Sequence, residues 1–315
     1  MTILKNQTLD SDRASYKAVI CFSIFSAAKP YHSAFIDALL KLRSRENIAL
    51  LILQDNYSFS EAELQSLSRV YDVFLSTDEP SHSVQETKIN LIRQAASFSA
   101  DNIIFTDSDD CLHEDALKLH FDVLEQHDFS YSDQILINTD GELLGRCLFD
   151  NVNVPTKLEH YSALLYQNYC GLSALGFKKS ALEKIDLNTL AQDSIAPDWM
   201  LATQALLNGA VAAQTARPVV YYRQHAANYF KSSHQPIDYY EKKLENLIVH
   251  LNNLNLPETR QYLVDCQNAL KLLTSSSNPV RLLDNNKSWT HFPWFQDIFR
   301  FVQSSKAQLL EKGYQ

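Results

Sequence analysis

Apolar and polar positions follow two different rhythms along the first hundred residues of the chain. Residues 31–42 and 84–98 repeat apolar side chains every three or four positions, which is typical of a helix that packs one face against a core. Between these stretches lie short apolar runs with the length of buried strands, at residues 18–23, 48–53, 72–75 and 102–105. Strands that alternate with helices predict an α/β fold, in which helices flank a mostly parallel sheet.

The second half of the chain predicts shorter elements. Asp140-Gly141 lies in the middle of residues 134–149, and because this dipeptide favours tight hairpin turns, the stretch predicts two paired strands. Helical spacing recurs further along, and one more short strand follows. The helices are predicted at residues 113–125, 158–169 and 196–209, and the strand at residues 219–222.

Two amphipathic helices, separated near Pro257, are predicted beyond residue 239. A serine-rich stretch at residues 274–279 has the composition of a linker. We therefore divide the chain into three parts. Residues 1–17 form an N-terminal extension, residues 18–235 the α/β domain, and residues 236–315 a small helical C-terminal region.

The composition fits a folded globular protein and excludes several classes. With 315 residues, 45% hydrophobic content, 6 glycines and 9 prolines, the chain can bury one substantial core. Its 28 basic and 37 acidic residues give a formal net charge of -9 without a basic patch, so no nucleic acid is expected as a partner. The 5 cysteines are scattered without CxxC spacing, which argues against zinc knuckles and disulfides and favours a reducing cytoplasm.

The polar start of the sequence, residues 1–17, lacks the apolar core of a signal peptide. No apolar run reaches the roughly 20 residues that a membrane span requires. An aromatic-rich C-terminal segment could still lie at a membrane interface near a lipid-linked acceptor. It contains Trp289, Phe292, Trp294, Phe295, Ile298, Phe299, Phe301 and Val302. Few basic residues accompany it, so we favour packing on the α/β domain or on a second subunit of a homo-oligomer. We expect a cytoplasmic protein, at most peripheral at the inner membrane face.

An acidic cluster, Asp107-Ser108-Asp109-Asp110, directly follows the strand predicted at residues 102–105. Burying like charges together is costly unless a cation or hydrogen bonds offset them, so the cluster predicts a site for Mg²⁺ or Mn²⁺ that carries a diphosphate. Ligands of open α/β sheets bind at the carboxyl ends of the strands. The predicted topology places Ser26 and Asp55 at that edge as well.

A helix cap and a phosphatase site are also compatible with the acidic cluster. Asp and Ser favour helix N-caps, so the segment could cap the helix predicted near His113, although a cap requires one carboxylate and three are present. An aspartate nucleophile with a second aspartate two residues later also serves phosphoryl transfer in phosphatases. Cys111 weakens the phosphatase interpretation, because a threonine or valine would be expected there.

Asp198 and His225 are two further candidates for chemistry. Asp198 follows Pro197 at a predicted helix start, where the helix dipole favours the ionised carboxylate. A carboxylate that faces a sugar hydroxyl can accept its proton. Taken singly, however, Asp198 fits better as a helix cap and His225 as a structural histidine.

The order of four motifs along the chain resembles that of the inverting family-2 glycosyltransferases with a GT-A fold, especially their rhamnosyltransferase-like branch. These motifs are Asp107-Ser108-Asp109-Asp110, Asn168 with Gly171, Asp198-Trp199, and Tyr222-Arg223-Gln224-His225 with Asn228. The resemblance covers residues 18–230. It implies the GT-A fold, a Rossmann-like and mostly parallel sheet with flanking helices.

The resemblance also implies a role for each matching residue. Asp109 and His225 would bind Mn²⁺ or Mg²⁺, and Asp198 would be the general base. Asp193 is the second candidate for the base, because Pro197 stands where the family commonly has an acidic residue. The acceptor-side residues are Asn168, Gly171 and Trp199. Together with the strand-end Ser26, the donor-binding residues are Asp55, Lys88, Asn90, Asp107, Ser108 and Arg223.

The implied activity is the metal-dependent, inverting transfer of a sugar from a nucleotide-sugar donor to a hydroxyl of a glycan or lipid-linked glycan acceptor, in surface-polysaccharide assembly. Two rival functions stay open. A nucleotidyltransferase that makes nucleotide-sugars would be expected to have a glycine-rich first loop, and residues 26–31 contain no glycine. A non-catalytic module that binds a glycan or a partner on the same fold is the other.

Overall fold

The computed structural model describes residues 15–80, 82–150, 152–190, 196–225, 237–275 and 296–311. All four strands predicted for the first half are present. They are β1 (Tyr16–Phe25), β2 (Ile48–Asp55), β3 (Asp72–Thr77) and β4 (Ala100–Phe105). They pair in parallel in the order β3-β2-β1-β4. Their side chains are mostly buried on both faces, as the continuous apolar runs predicted.

Three helices connect these strands. The two predicted ones are α1 (His32–Lys41) and α3 (Val84–Ser97), and α2 (Glu61–Ser68) is additional. The start of α2 is fixed by a capping box: the Ser60 hydroxyl accepts from Glu63 N at 3.3 Å, and Ser60 N donates to the Glu63 carboxylate at 2.6 Å. Ser83 and Glu86 form the same arrangement at the start of α3.

The second half adds short strands and helices in two sheets. Its elements are β5 (Cys111–Leu112), α4 (Ala116–Leu124), β6 (Phe129–Tyr131), β7 (Gln134–Ile137), β8 (Leu143–Cys147), β9 (Lys157–Leu158), β10 (Gly176–Lys178), α5 (Lys179–Leu182), α6 (Pro197–Leu207), β11 (Ala212–Gln214) and β12 (Val220–Arg223). The large sheet continues from β4 as β10-β6-β11-β9, with β10 antiparallel to both neighbours. The smaller sheet has the order β5-β12-β7-β8. The result is the predicted α/β fold with a mixed, mostly parallel sheet.

The predicted hairpin is confirmed and one predicted helix is wrong. β7 and β8 pair antiparallel, and Gly141 turns between them with a φ of 87°. Residues 158–169, in contrast, form the end of β9 and a 3₁₀ helix at Tyr161–Leu164. Leu158 is paired with β11, and the Leu164 carbonyl accepts from the Trp199 indole at 2.6 Å. Long-range partners thus take the backbone groups that an α-helix would need.

The C-terminal helices are α7 (Ile237–Leu254), α8 (Arg260–Ser275) and α9 (Gln296–Glu311). Their apolar residues belong to the same core cluster as the sheet, and His250 stacks on Trp199 with ring centroids 4.1 Å apart. In the aromatic-rich segment, Ile298, Phe301 and Val302 are buried in that cluster, so this part packs inward as we favoured. Trp289, Phe292, Trp294 and Phe295 lie outside the described residues. Among the described helices, none is long and apolar enough to cross a bilayer.

Candidate functional site

The acidic cluster lies at the carboxyl end of β4, where the chain leaves the sheet. The last sheet contacts there are Phe105 N to Leu175 O, 2.9 Å, and Thr106 N to Cys21 O, 3.1 Å. The chain then turns, and carboxylate oxygens of Asp107, Asp109 and Asp110 come within 4.8 Å of one another. The helix that they could have capped begins later, after Asp115, and has no side-chain cap. The capping interpretation of the cluster is therefore wrong.

The cluster has the donor chemistry of a divalent cation site. His225 Nε2 lies 3.0 Å from Asp109 Oδ2, so an imidazole nitrogen joins the carboxylate oxygens. Asp110 Oδ2 is buried and has no hydrogen-bond partner among the described residues. Burial raises the pKa of the Asp110 carboxyl well above its usual value, and the neighbouring carboxylates of Asp109 and Asp107 raise it further. A hard cation such as Mg²⁺ or Mn²⁺ fits this set of oxygen and nitrogen donors.

Arg223 supports the acidic cluster through hydrogen bonds to Asp109 and Asp110. Its backbone N donates to Asp110 Oδ1 at 2.9 Å, and its Nε donates to the Asp109 carbonyl at 2.9 Å. The same guanidinium donates to the carbonyls of Asn138 and Thr139 and lies over the Tyr31 ring, 4.7 Å from its centroid. Its side chain thus supports the acidic loop and does not line the cavity that the carboxylates face.

Asp198 lies in the first turn of α6, directly after Pro197. Its Oδ1 accepts from Trp199 N at 2.7 Å, and its Oδ2 accepts from Leu172 N at 3.0 Å. Burial raises the pKa of the Asp198 carboxyl, while Lys88 and these two backbone donors lower it in part, so that the net direction is upward. The carboxylate therefore accepts from two backbone N–H groups and also lines the cavity. The N-cap of α6 is Ala196 and has no side-chain cap, so the interpretation of Asp198 as the helix cap is wrong.

Lys88 of α3 lies between the two acidic positions. Its Nζ is 3.6 Å from Asp107 Oδ2. Burial alone would lower the pKa of Lys88, but the carboxylates of Asp107, Asp198 and Asp109 together raise it above its usual value. The ammonium group is therefore held in its charged form at the centre of the site.

One cavity of about 300 Å³ brings most of the predicted site residues together. Its walls include Asp55, Lys88, Asp107, Asp109, Asn168, Gly171, Asp198 and His225. The cavity is also lined by Gln134, Ser173 and Tyr222, which were not among the predicted site residues. Tyr222 belonged to a quoted motif, whereas nothing in the sequence pattern distinguished Gln134 or Ser173 from ordinary strand and loop residues.

Five predicted residues do not line this cavity. Trp199 is fully buried beneath it, and Ser108 is fully buried within the acidic loop. Asn90 Nδ2 donates to Asp78 Oδ1 at 2.6 Å. Arg223 contacts the loop as described, and Ser26 is exposed beside two lining residues, Phe25 and Ala27. Asp193 and Asn228 lie outside the described residues.

A second group of acidic and thiol side chains lies at the β7–β8 hairpin, and its carboxylates are hydrogen-bonded to the backbone. Asp133, Cys147 and Asp150 also lie within 4.8 Å of one another. Asp133 Oδ1 accepts from the backbone N of Gln134 and of Phe149, and Asp150 Oδ2 accepts from Cys147 N. These carboxylates satisfy the backbone of the β7–β8 hairpin, so the group is explained by local structure.

Comparison with known proteins identifies the fold. No family model and no curated protein matches the chain. Residues 1–349 of S. aureus TarS in complex with UDP-GlcNAc are similar in structure, with a TM-score of 0.57 and 16% identity over 92% of this chain and 81% of that chain. The complex of the same TarS fragment with UDP has a TM-score of 0.55 and 14% identity, over 94% of this chain and 92% of that chain.

The mannosyltransferase PcManGT from Pyrobaculum calidifontis, in complex with GDP-Man and Mn²⁺, gives a TM-score of 0.54 and 12% identity, over 96% of this chain and 90% of that chain. At such identities a structural likeness shows the fold alone. Each comparison spans nearly the whole chain, including the second half where the sheet becomes mixed. The chain has the α/β fold of the GT-A glycosyltransferases.

Proposed function

We propose that the protein is a metal-dependent, inverting glycosyltransferase that moves a sugar from a nucleotide-sugar to a hydroxyl of a glycan or glycoconjugate. One observation carries this proposal: Asp109 after β4 and Asp198 at the start of α6 line a single cavity, with Lys88 between them. A nucleotide-sugar needs a cation site at its diphosphate and a proton acceptor near its sugar. This cavity offers both.

Asp109 and His225 would hold the metal, with Asp107 and Asp110 beside them. A bound Mg²⁺ or Mn²⁺ supplies positive charge that neutralises the departing diphosphate. The Mn²⁺ and GDP-Man in the PcManGT complex, and the UDP-GlcNAc in a TarS complex, support this choice of cofactor and donor class. Lys88 would place a second positive charge near the same phosphates, since its Nζ contacts Asp107.

Asp198 would act as the general base. The acceptor oxygen attacks the anomeric carbon while the bond from that carbon to the diphosphate oxygen breaks, and the hydroxyl proton passes to Asp198. Its raised pKa makes the carboxylate a stronger base, and Leu172 N–H fixes the orientation of Oδ2. A single displacement of this kind inverts the anomeric carbon.

The remaining cavity residues divide between donor and acceptor. Asp55, at the end of β2, would contact the nucleoside, because it lines the cavity on the side of the parallel strands. Asn168 and Gly171 also line the cavity, and Leu172, which follows Gly171, donates to Asp198, so an acceptor hydroxyl would enter beside these residues. We place the activity in surface-polysaccharide or glycoconjugate assembly.

A thermal-shift panel tests the proposal. UDP, GDP, dTDP and their nucleotide-sugars are added with Mn²⁺, with Mg²⁺ or with EDTA. We expect the nucleotides of one nucleobase to raise the Tm in a metal-dependent manner, because a ligand at a hundred times its Kd adds about 2.7 kcal/mol of stability. Stabilisation should disappear with EDTA and in Asp109→Asn. A wild-type chain that no nucleotide stabilises with either metal would contradict the proposal.

A further inference from the structure

Gln134 is a buried side chain for which the reaction above has no use. It is the first residue of β7, and only 1% of its surface is exposed. Both of its backbone groups are paired, since its N donates to Asp133 Oδ1 at 2.7 Å and its carbonyl accepts from Leu148 N at 2.8 Å. Within the described part of the chain, neither Nε2 nor Oε1 of its amide has a hydrogen-bond partner.

This unpaired amide lines the candidate active-site cavity. The same walls contain Asp107 and Asp198, so the amide borders the cavity that would hold the diphosphate and the sugar of the donor. A buried amide without partners destabilises the folded state, and most buried polar groups are therefore paired. A polar group that is unpaired inside a cavity is accounted for when a ligand supplies the missing partners.

We propose that Gln134 is a specificity-determining residue that contacts the sugar of the donor. Nε2 would donate to one hydroxyl and Oε1 would accept from the adjacent hydroxyl of a pyranose with vicinal hydroxyls. This inference rests on the proposed function. A primary amide suits the task, because it offers two donors and an acceptor side by side. It is also uncharged, and so adds no repulsion to a cavity already lined by Asp107, Asp109 and Asp198.

The substitution Gln134→Met tests the assignment, since methionine has similar length but lacks both polar atoms. Titration calorimetry with Mn²⁺ compares each nucleoside diphosphate with its nucleotide-sugars: UDP with UDP-glucose and UDP-N-acetylglucosamine, GDP with GDP-mannose, and dTDP with dTDP-rhamnose. For the pair that wild type binds, we expect the ratio of diphosphate Kd to nucleotide-sugar Kd to fall about tenfold, the equivalent of two lost hydrogen bonds. The Kd of the diphosphate alone should stay within about twofold.

Thr203→Val is the matched control. Thr203 Oγ1 in α6 is likewise buried and unpaired among the described residues, but Thr203 does not line the cavity. Both substitutions remove an unpaired polar group, so both should raise the Tm of the ligand-free protein. Only Gln134→Met should change the Kd ratio.

The outcomes separate this inference from the proposed function. If wild type binds no nucleotide, the proposed function fails, and the role of Gln134 fails with it. If nucleotides bind and Gln134→Met leaves the Kd ratio unchanged, only the role of Gln134 is overturned. A lower Tm together with weaker diphosphate binding, in Gln134→Met and in Gln134→Leu, would show that the amide is structural and would also overturn it.

Discussion

Asp78 and Asp110 are both buried carboxylates, with 4% and 1% of their surfaces exposed, but their surroundings differ. Asp78 accepts from Thr87 Oγ1 at 2.5 Å and Asn90 Nδ2 at 2.6 Å, and His82 Nδ1 lies 2.7 Å away. Burial alone would raise the pKa of Asp78, but these contacts bring it below its usual value. Asp110 accepts from Arg223 N at 2.9 Å, and the Ser173 hydroxyl also lowers its pKa, but burial and the carboxylates of Asp109 and Asp107 outweigh both, so that the pKa of Asp110 is raised.

Asp78 is a structural carboxylate, whereas Asp110 belongs to the proposed cation site. The surroundings of Asp78 are complete without a ligand, since three side chains solvate its charge. Those of Asp110, with Asp109 and Asp107, contain an excess of negative charge that a cation would balance. The number of carboxylates is therefore less informative than the number of donors that face them.

The largest expected effect is the loss of catalytic rate in the Asp109→Asn variant. Removing one charge from the proposed metal site should slow sugar transfer about a hundredfold to a thousandfold, the usual loss for one preorganised electrostatic contact. The stability of the metal-free protein should stay equal or increase, because repulsion among the carboxylates is relieved. Donor consumption with Mn²⁺ and urea unfolding measure the two effects.

Asp101→Asn is the control for that substitution, because Asp101 is an exposed carboxylate in the same strand, β4. It should leave both quantities unchanged. Equal activity in Asp109→Asn and Asp101→Asn would contradict the assignment of Asp109 to the proposed metal site.

The next largest effect is expected for Asp198→Asn. This substitution should lower kcat about a hundredfold to ten-thousandfold and leave metal-dependent nucleotide binding unchanged. The wild-type rate should rise with pH through the pKa of Asp198, because only the carboxylate form accepts a proton. Burial places that pKa above the usual value. A pH profile of kcat/KM should therefore lose its acid limb in the variant. Wild-type turnover by Asp198→Asn would exclude this residue as the base.

The smallest effect is on stability, in Asp78→Ala. Loss of a carboxylate with three partners should lower the free energy of unfolding by about 2 kcal/mol at neutral pH. Because the pKa of Asp78 is lowered in the folded state, its contribution is present above the unfolded pKa of about 3.9 and is lost as the pH falls through the folded pKa. Urea unfolding should show the wild-type advantage shrinking below about pH 4. A pH-independent difference would mean that the charge of Asp78 is unimportant.

The elements that the sequence predicted best are those with complete local signals. β1 and β2 were clear because both faces of a central parallel strand are apolar. The helix α2 was missed although its capping box, Ser60 with Glu63, is visible in the sequence. The helix predicted at residues 158–169 was wrong because β11 and Trp199 engage its backbone from distant parts of the chain.

Inside the candidate site, too, residues that are close in the sequence have different surroundings in the structure. The sequence indicated Lys88 and Asn90 together, but positions two apart on a helix point in different directions. Lys88 therefore lines the cavity, while Asn90 contacts Asp78. Trp199 was grouped with Asp198 as its neighbour, yet it packs in the core beneath the site.

By itself, the sequence determined the four central strands, the helices α1 and α3 and the presence of an acidic cluster at a strand end, because apolar periodicity and strand-end position are local properties. The tertiary structure decided which polar groups share the cavity and which are already paired. It made Asp78 structural, left Asp110 with unsatisfied charge and revealed Gln134 as a candidate for sugar contact. A hydrogen-bond partner is chosen by proximity in space, and residues distant in the chain provide it.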